Sequence, residues 1–197
     1  MTQLTLPGFE APNLALEHRL FFALVPDPLT AEHIAGVGEG VCSQLGIRSK
    51  LLRTERLHIT LHHLGDFPNV PEVIVARACA AAASLVVPPF EVTFDRVLSF
   101  KGRPGHRPLV LTGETGLNPL IDFQQALGEA LGKALGKAGL RLSRARFTPH
   151  LTLLYDEGKF DPRPIEPITW TVRDFVLIHS WLGKTLYVEK GRWPLKG

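Results

Sequence analysis

Cysteine is scarce in this chain: Cys42 and Cys79 are the only two in 197 residues. Both fall in apolar, helix-like stretches and read as buried free thiols. They allow neither a disulfide framework nor a cysteine-based metal spacing, which points to a reduced, cytoplasmic setting. Long apolar runs are lacking too. None approaches the roughly 20 residues that a membrane helix needs, and the first residues have neither the basic start nor the apolar stretch of a signal peptide. Charge is nearly balanced, with 22 Lys and Arg against 19 Asp and Glu and a net charge of +3. That balance permits a phosphate-bearing partner without demanding one. There is no His-Glu-x-x-His, no glycine-rich strand-to-helix loop for a nucleoside triphosphate and no Gly-x-Ser-x-Gly elbow. The spaced glycines Gly36, Gly38 and Gly40 lie inside a helical pattern, the wrong context for phosphate binding.

What is present is a short pattern that occurs twice. Leu57-His58-Ile59-Thr60-Leu61 is matched by Pro149-His150-Leu151-Thr152-Leu153, and an aspartate comes after each, Asp66 and Asp156. Alternation of this kind marks a strand, in which residues two apart share a face. His58 and Thr60 therefore point one way and Ile59 and Leu61 the other, and the second copy does the same. One His-x-Thr triplet means little. Two in similar flanks predict a cleft in which two imidazoles face each other.

The rest of the chain supplies a frame. The first 17 residues, with two prolines and no period, read as a flexible leader, and residues 18–197 as one domain. Gln3-Leu4-Thr5-Leu6-Pro7-Gly8-Phe9 within the leader is similar to short peptides that dock on a DNA sliding clamp, the one macromolecular partner the tail indicates. Arg19–Val25 reads as a central strand. Asp27-Pro28 opens a helix with Ile34, Val37, Val41 and Leu45 turned inward. Asn69 to Glu72 resembles a capping box for an alanine-rich helix reaching Ser84. Phe90–Val97 and Leu109–Gly113 read as strands around a basic, turn-rich loop. Asn118-Pro119 opens a helix with the stripe Leu120, Phe123, Leu127, Leu131 and Leu135, stopped by Gly139. Asp161–Pro167 reads as a proline-rich loop, and two strands joined at Gly183 close the chain. The expected class is α+β with mostly antiparallel strands in two lobes, and the recurring helix before each motif hints at internal duplication.

Chemistry follows from the residue types. An unperturbed histidine pKa near 6.5 lets one imidazole be neutral while its partner is protonated at little cost. Each proton transfer is typically worth about 10²- to 10⁴-fold. A threonine two residues along, roughly 6–7 Å away on the same face, can donate to a non-bridging oxygen of an anion. This set favours a phosphate between the histidines. A metal site is disfavoured, since no carboxylate or cysteine adjoins either histidine and His62 and His63 read as rim residues. Basic residues lead into both motifs (Arg48, Lys50, Arg53, Arg56; Arg141, Arg144, Arg146), and Lys101, Arg103 and Arg107 lie in the turn-rich loop, which suits a polyanion. His179 reads as a satisfied buried histidine.

The paired motifs, together with Arg19-Leu20-Phe21-Phe22-Ala23, Leu64-Gly65, Phe147-Thr148 and Arg192-Trp193-Pro194-Leu195, resemble the 2H phosphoesterase superfamily, and more closely its LigT-like branch of RNA 2′,3′-cyclic phosphodiesterases, also called 2′-5′ RNA ligases. The resemblance implies a bilobal fold with a pseudo-twofold axis and a central cleft between two sheets with outer helices. It implies opening of an RNA terminal 2′,3′-cyclic phosphate to a 2′-phosphate, without metal or nucleotide cofactor, with 2′-5′ ligation as the reverse reaction. A small cyclic nucleotide or 2′-5′ linkage as substrate, or a non-catalytic RNA-binding module, are the alternatives. His58 and His150 become the acid–base pair, with His150 activating water and His58 protonating the departing 3′ oxygen. Thr60 and Thr152 become the phosphate donors. Arg107 falls near a basic position of relatives that contacts substrate. Tyr155 stands where some relatives carry arginine and offers a ring for base stacking.

Overall fold

Strand, helix and motif strand succeed one another twice in this chain, and the two copies build two sheets. The computed structural model describes residues 15–103, 105–143 and 145–197. The order is β1 (His18–Leu24), α1 (Pro28–Leu45), a 3₁₀ turn (Thr54–Arg56), β2 (Ile59–Phe67), α2 (Glu72–Ala83), β3 (Phe90–Ser99), β4 (Arg107–Thr112), α3 (Asn118–Gly136), β5 (Leu151–Asp156), β6 (Arg163–Val172), β7 (Asp174–Trp181) and β8 (Leu186–Pro194). One sheet runs β2-β1-β7-β8 and the other β5-β4-β3-β6. Every pair is antiparallel. The units β1-α1-β2 and β4-α3-β5 correspond, and each motif strand is the edge of its sheet, next to the strand that precedes its helix. The architecture is the expected α+β fold with two antiparallel sheets.

Helix placement follows local chemistry. Asp27 caps α1, accepting from the Thr30 amide at 3.1 Å, with Pro28 in the first turn. Gly46 ends α1 in the left-handed conformation (φ 66°), where a residue without Cβ escapes the steric cost. Ile34 and Val41 are buried on its inner face. Gly38 lets the Leu51 side chain approach to 3.0 Å of where a Cβ would stand. The stripe Leu120, Phe123, Leu127, Leu131 and Leu135 of α3 is buried as its spacing predicts. Each such side chain contributes about 1.5–3 kcal/mol on burial. One continuous core joins the inner faces of both sheets to the helices. A smaller cluster of Phe21, Ala23, Val176 and Ile178 covers the opposite face of the first sheet.

Several expectations need correction. The segment read as a proline-rich loop is the start of β6. It lies at a sheet edge, where one side of the backbone needs no ladder partner, so Pro164 and Pro167 are tolerated without an N–H. The capping box at Asn69 is not formed: the residue before α2 is Pro71, and no side chain caps it. Helix α3 begins one residue earlier than expected, after Leu117, and ends at Gly136 rather than Gly139. Cys42 and Cys79 are free but half-buried. The leader through Leu14, with its clamp-like peptide, lies outside the described residues, as does Arg144. Glu17 is fastened to the fold, donating to Phe67 at 3.1 Å and accepting from Leu182 at 2.8 Å. Among the described residues, no helix is long and apolar enough to cross a membrane.

Candidate active site

Each motif histidine occupies the position just before its strand, and a bulge lies a few residues beyond it. In β2, Ala23 faces Thr60 and Phe22 faces His62, so Leu61 is the extra residue. In β5, Val110 faces Thr152 and Leu109 faces Leu154, so Leu153 is the extra residue. The same motif position is bulged in both lobes. Leu61 and Leu153 are both buried, so the apolar side of the motif is drawn into the core while the bulge re-aims the side chains beyond it.

The imidazoles are anchored alike. His58 Nδ1 lies 2.7 Å from the Arg56 carbonyl oxygen, and His150 Nδ1 lies 2.7 Å from that of Thr148. A carbonyl only accepts, so both Nδ1 atoms carry the proton, and Nε2 is the atom left to exchange one. A phenylalanine packs on each ring, Phe21 with its centroid 5.1 Å from that of His58 and Phe100 at 4.9 Å from that of His150. Burial pushes the His58 pKa below the ordinary histidine value; the hydrogen bond to Arg56 opposes the shift, and the charges of Arg56 and His150 add to it. The two rings, far apart in the chain, are therefore within electrostatic reach of each other.

The segment between α1 and the 3₁₀ turn joins the first lobe to the second motif strand. The Leu52 amide donates to Leu153 at 2.7 Å, and Ser49 Oγ donates to Asp156 at 2.6 Å. Thr60 from one lobe and His150 from the other line a single cavity of about 360 Å³, with His63, Phe100 and Arg146 around them. Larger cavities lie elsewhere. One of about 650 Å³ is bounded by Pro28, Trp170 and Arg192 and holds neither histidine. The smaller space is the candidate site because it contains Thr60 of one motif and His150 of the other; His58 and Thr152 are not among its lining residues.

Other expected residues are distributed less simply. Thr152 pairs across to Val110 and is half-buried. Arg107 faces Asp156 in the ladder, and its guanidinium donates to the Glu157 carbonyl, away from the cavity that holds His150. Tyr155 is exposed and stacked on His106, with centroids 4.2 Å apart and planes 3° from parallel. His63 is a rim residue bonded to Asp66 at 3.0 Å. His62 also lines the cavity, and beyond the bulge it turns to α3, with Nε2 2.8 Å from the Gln124 carbonyl. A Cβ on Gly128 would come 2.8 Å from its ring, so that glycine makes room for it. His179 is buried and satisfied, with Nε2 2.9 Å from Nδ1 of His18. Among the described residues, no three His, Cys, Asp or Glu side chains are grouped to hold a metal ion.

Two contributors had no strong signal in the sequence. Tyr187, on β8, places its ring 5.8 Å from that of His58. The Arg56 guanidinium lies 4.6 Å over the Tyr187 ring and donates to its hydroxyl at 3.2 Å.

The sequence profile of the 2′-5′ RNA ligase superfamily matches residues 26–181. The chain belongs to that superfamily. Its fold is that of the LigT-like 2H phosphoesterases. E. coli LigT in its apo form superposes with a TM-score of 0.67 at 23% identity, over 93% of this chain and 100% of the other. TT0787 of Thermus thermophilus superposes with a TM-score of 0.71 at 21% identity, over 91% and 98%. No curated protein sequence matches significantly. Within the 2H superfamily this chain keeps both His-x-Thr motifs on edge strands, one per sheet.

Proposed function

We propose that this 2H phosphoesterase opens the terminal 2′,3′-cyclic phosphate of RNA to a 2′-phosphate, by acid–base catalysis between His58 and His150 and without a metal. The observation that carries the reading is the matched anchoring of the two imidazoles, each with Nδ1 committed to a carbonyl and Nε2 free for proton transfer. E. coli LigT has been solved in complex with 3′-AMP and with phosphate; a nucleotide phosphate on this chain is the same chemistry.

His150, whose anchoring bond is exposed while that of His58 is part-buried, acts as the base. Its Nε2 takes a proton from water as the water oxygen bonds to phosphorus. The bond from phosphorus to the 3′ oxygen breaks in line, and Nε2 of His58 delivers a proton to that oxygen. The anionic substrate favours the imidazolium of His58. The depressed pKa that burial imposes then makes the imidazolium a better donor. Thr60 and Thr152 donate to the non-bridging oxygens, and bonds to a charged acceptor are worth about 1.5–3 kcal/mol each.

The test is incubation of the purified protein, with chelator, with an RNA ending in a 2′,3′-cyclic phosphate. The expected product is a 2′-phosphomonoester. Binding without turnover of any cyclic phosphate would leave an RNA-binding module in place of an enzyme. The 360 Å³ of the cavity favours one alternative substrate class, a small cyclic nucleotide or 2′-5′ linkage. Faster turnover of cyclic mononucleotides than of RNA ends would establish that class.

A further inference from the structure

Arg56 differs from three other arginines near the motifs, and from the exposed Arg146 by its half-buried side chain. Arg19 is neutralised by two 2.7 Å bonds to Asp66. Arg53 lies 3.6 Å from Glu55, and Arg107 is spent on the Glu157 carbonyl. The Arg56 side chain is half-buried, and among the described residues it has no carboxylate partner. One Nη donates to the Tyr187 hydroxyl, and the Nε atom is buried with no hydrogen-bond partner at all. An arginine donor removed from water and left unpaired is costly, and a guanidinium without a counter-ion more so. An anion bound there offsets both terms.

The place of this cation is informative. Its own backbone carbonyl holds His58, and its guanidinium covers Tyr187, whose ring adjoins that of His58. The guanidinium thus lies on Tyr187, one aromatic ring removed from the His58 imidazole. On a nucleic-acid strand, the next anion at such a remove is the phosphodiester joining the terminal nucleotide to its 5′ neighbour. Arginine offers that group donors in a fixed planar fork, a geometry that suits a phosphate.

We propose that Arg56, with Tyr187 as its platform, binds the 5′ phosphate of the terminal nucleotide, so that the site distinguishes the end of a chain from a free nucleotide. This role rests on the function proposed above. It makes Arg56 a specificity residue rather than a participant in bond making.

The test compares a nucleoside 2′,3′-cyclic phosphate with the same compound carrying a 5′ phosphate, in the full chain and in Arg56→Gln and Arg56→Lys. The full chain is expected to favour the 5′-phosphorylated compound by about tenfold or more in kcat/KM, mainly through KM. Arg56→Gln is expected to bring the ratio close to one, and Arg56→Lys to restore part of it. An unchanged ratio in Arg56→Gln, with both compounds turned over, overturns the role of Arg56 and leaves the proposed function standing. No turnover of either compound by the full chain overturns the function itself, and this role with it.

Discussion

His58 and His150 are held by the same hydrogen bond in two different lobes: each ring gives its Nδ1 proton, over 2.7 Å, to the carbonyl oxygen two residues earlier. The matched geometry gives both rings the same tautomer, and burial is what lowers the pKa of His58. It also gives each histidine one exchangeable position, at Nε2, which is what paired acid–base chemistry requires.

Removing either ring is expected to remove one proton transfer. His58→Ala and His150→Ala should each lower kcat/KM on a 2′,3′-cyclic phosphate by at least about a hundredfold, with activity of the unaltered chain unaffected by EDTA. Steady-state kinetics with and without chelator check this. Near-normal turnover in either variant would falsify the acid–base pairing.

In the proposed mechanism the acidity of His58 sets the pH dependence. Its pKa lies below 6.5 in the free protein, chiefly through burial. The proposed reaction needs its protonated form, so kcat/KM is expected to fall as pH rises through that lowered value. The descending limb of kcat should lie at higher pH, because the bound anion favours the imidazolium. The charge of Arg56 disfavours the imidazolium, so Arg56→Gln should carry the limb of kcat/KM to higher pH. A limb that stays put, or moves down, sinks the assignment of that limb to His58.

Thr60 and Thr152 are expected to act on the anion rather than on the fold. Both are half-buried. Thr60→Val or Thr152→Val should lower kcat/KM about 10- to 100-fold, the worth of one hydrogen bond to a charged group. Thermal unfolding monitored on the same samples should show little change in Tm. Loss of stability in parallel with activity would mean that the hydroxyls serve packing instead.

Asp66 links an ion pair of the first sheet to stability. Hydrogen bonding from Arg19 first, with His63 adding to it, holds its carboxyl down to about 2. A depressed carboxylate stabilises the fold above its unfolded value near 3.8, and that contribution fades as pH falls toward 2. Arg19 is 44% exposed, so screening reduces the contribution to about 1 kcal/mol. Asp66→Asn is expected to cost that amount at pH 7 in denaturant unfolding and to flatten the stability profile between pH 4 and 2. A variant as stable as the parent at pH 7 would show the ion pair to be inert.

The sites of local chemistry were legible in the chain itself. The Asp27 cap, the α3 stripe from Leu120 to Leu135, and the alternation around His58 and His150 all depend on neighbours at spacings of two to four. The notion of two lobes came from the repeated motif. The site was only half legible. Arg56 adjoins His58 in sequence and reads as one of a run of surface charges, because nothing local shows that Tyr187 lies beneath it. Likewise β6 was hidden by Pro164 and Pro167, since the tolerance of an edge strand for proline depends on which strand is outermost.

By itself, the amino-acid sequence determined the residue types at the cleft, the elements that carry them and the polar and apolar sides of each motif, since periodicity is a property of neighbours along the chain. Tertiary structure alone decided that Thr60 and His150 share one cavity, that the bulge at Leu61 sends His62 to α3, and that Arg56 is left without a counter-ion among the described residues. Those outcomes depend on strand register and on contacts between residues distant in sequence, which only the packing of the two sheets fixes.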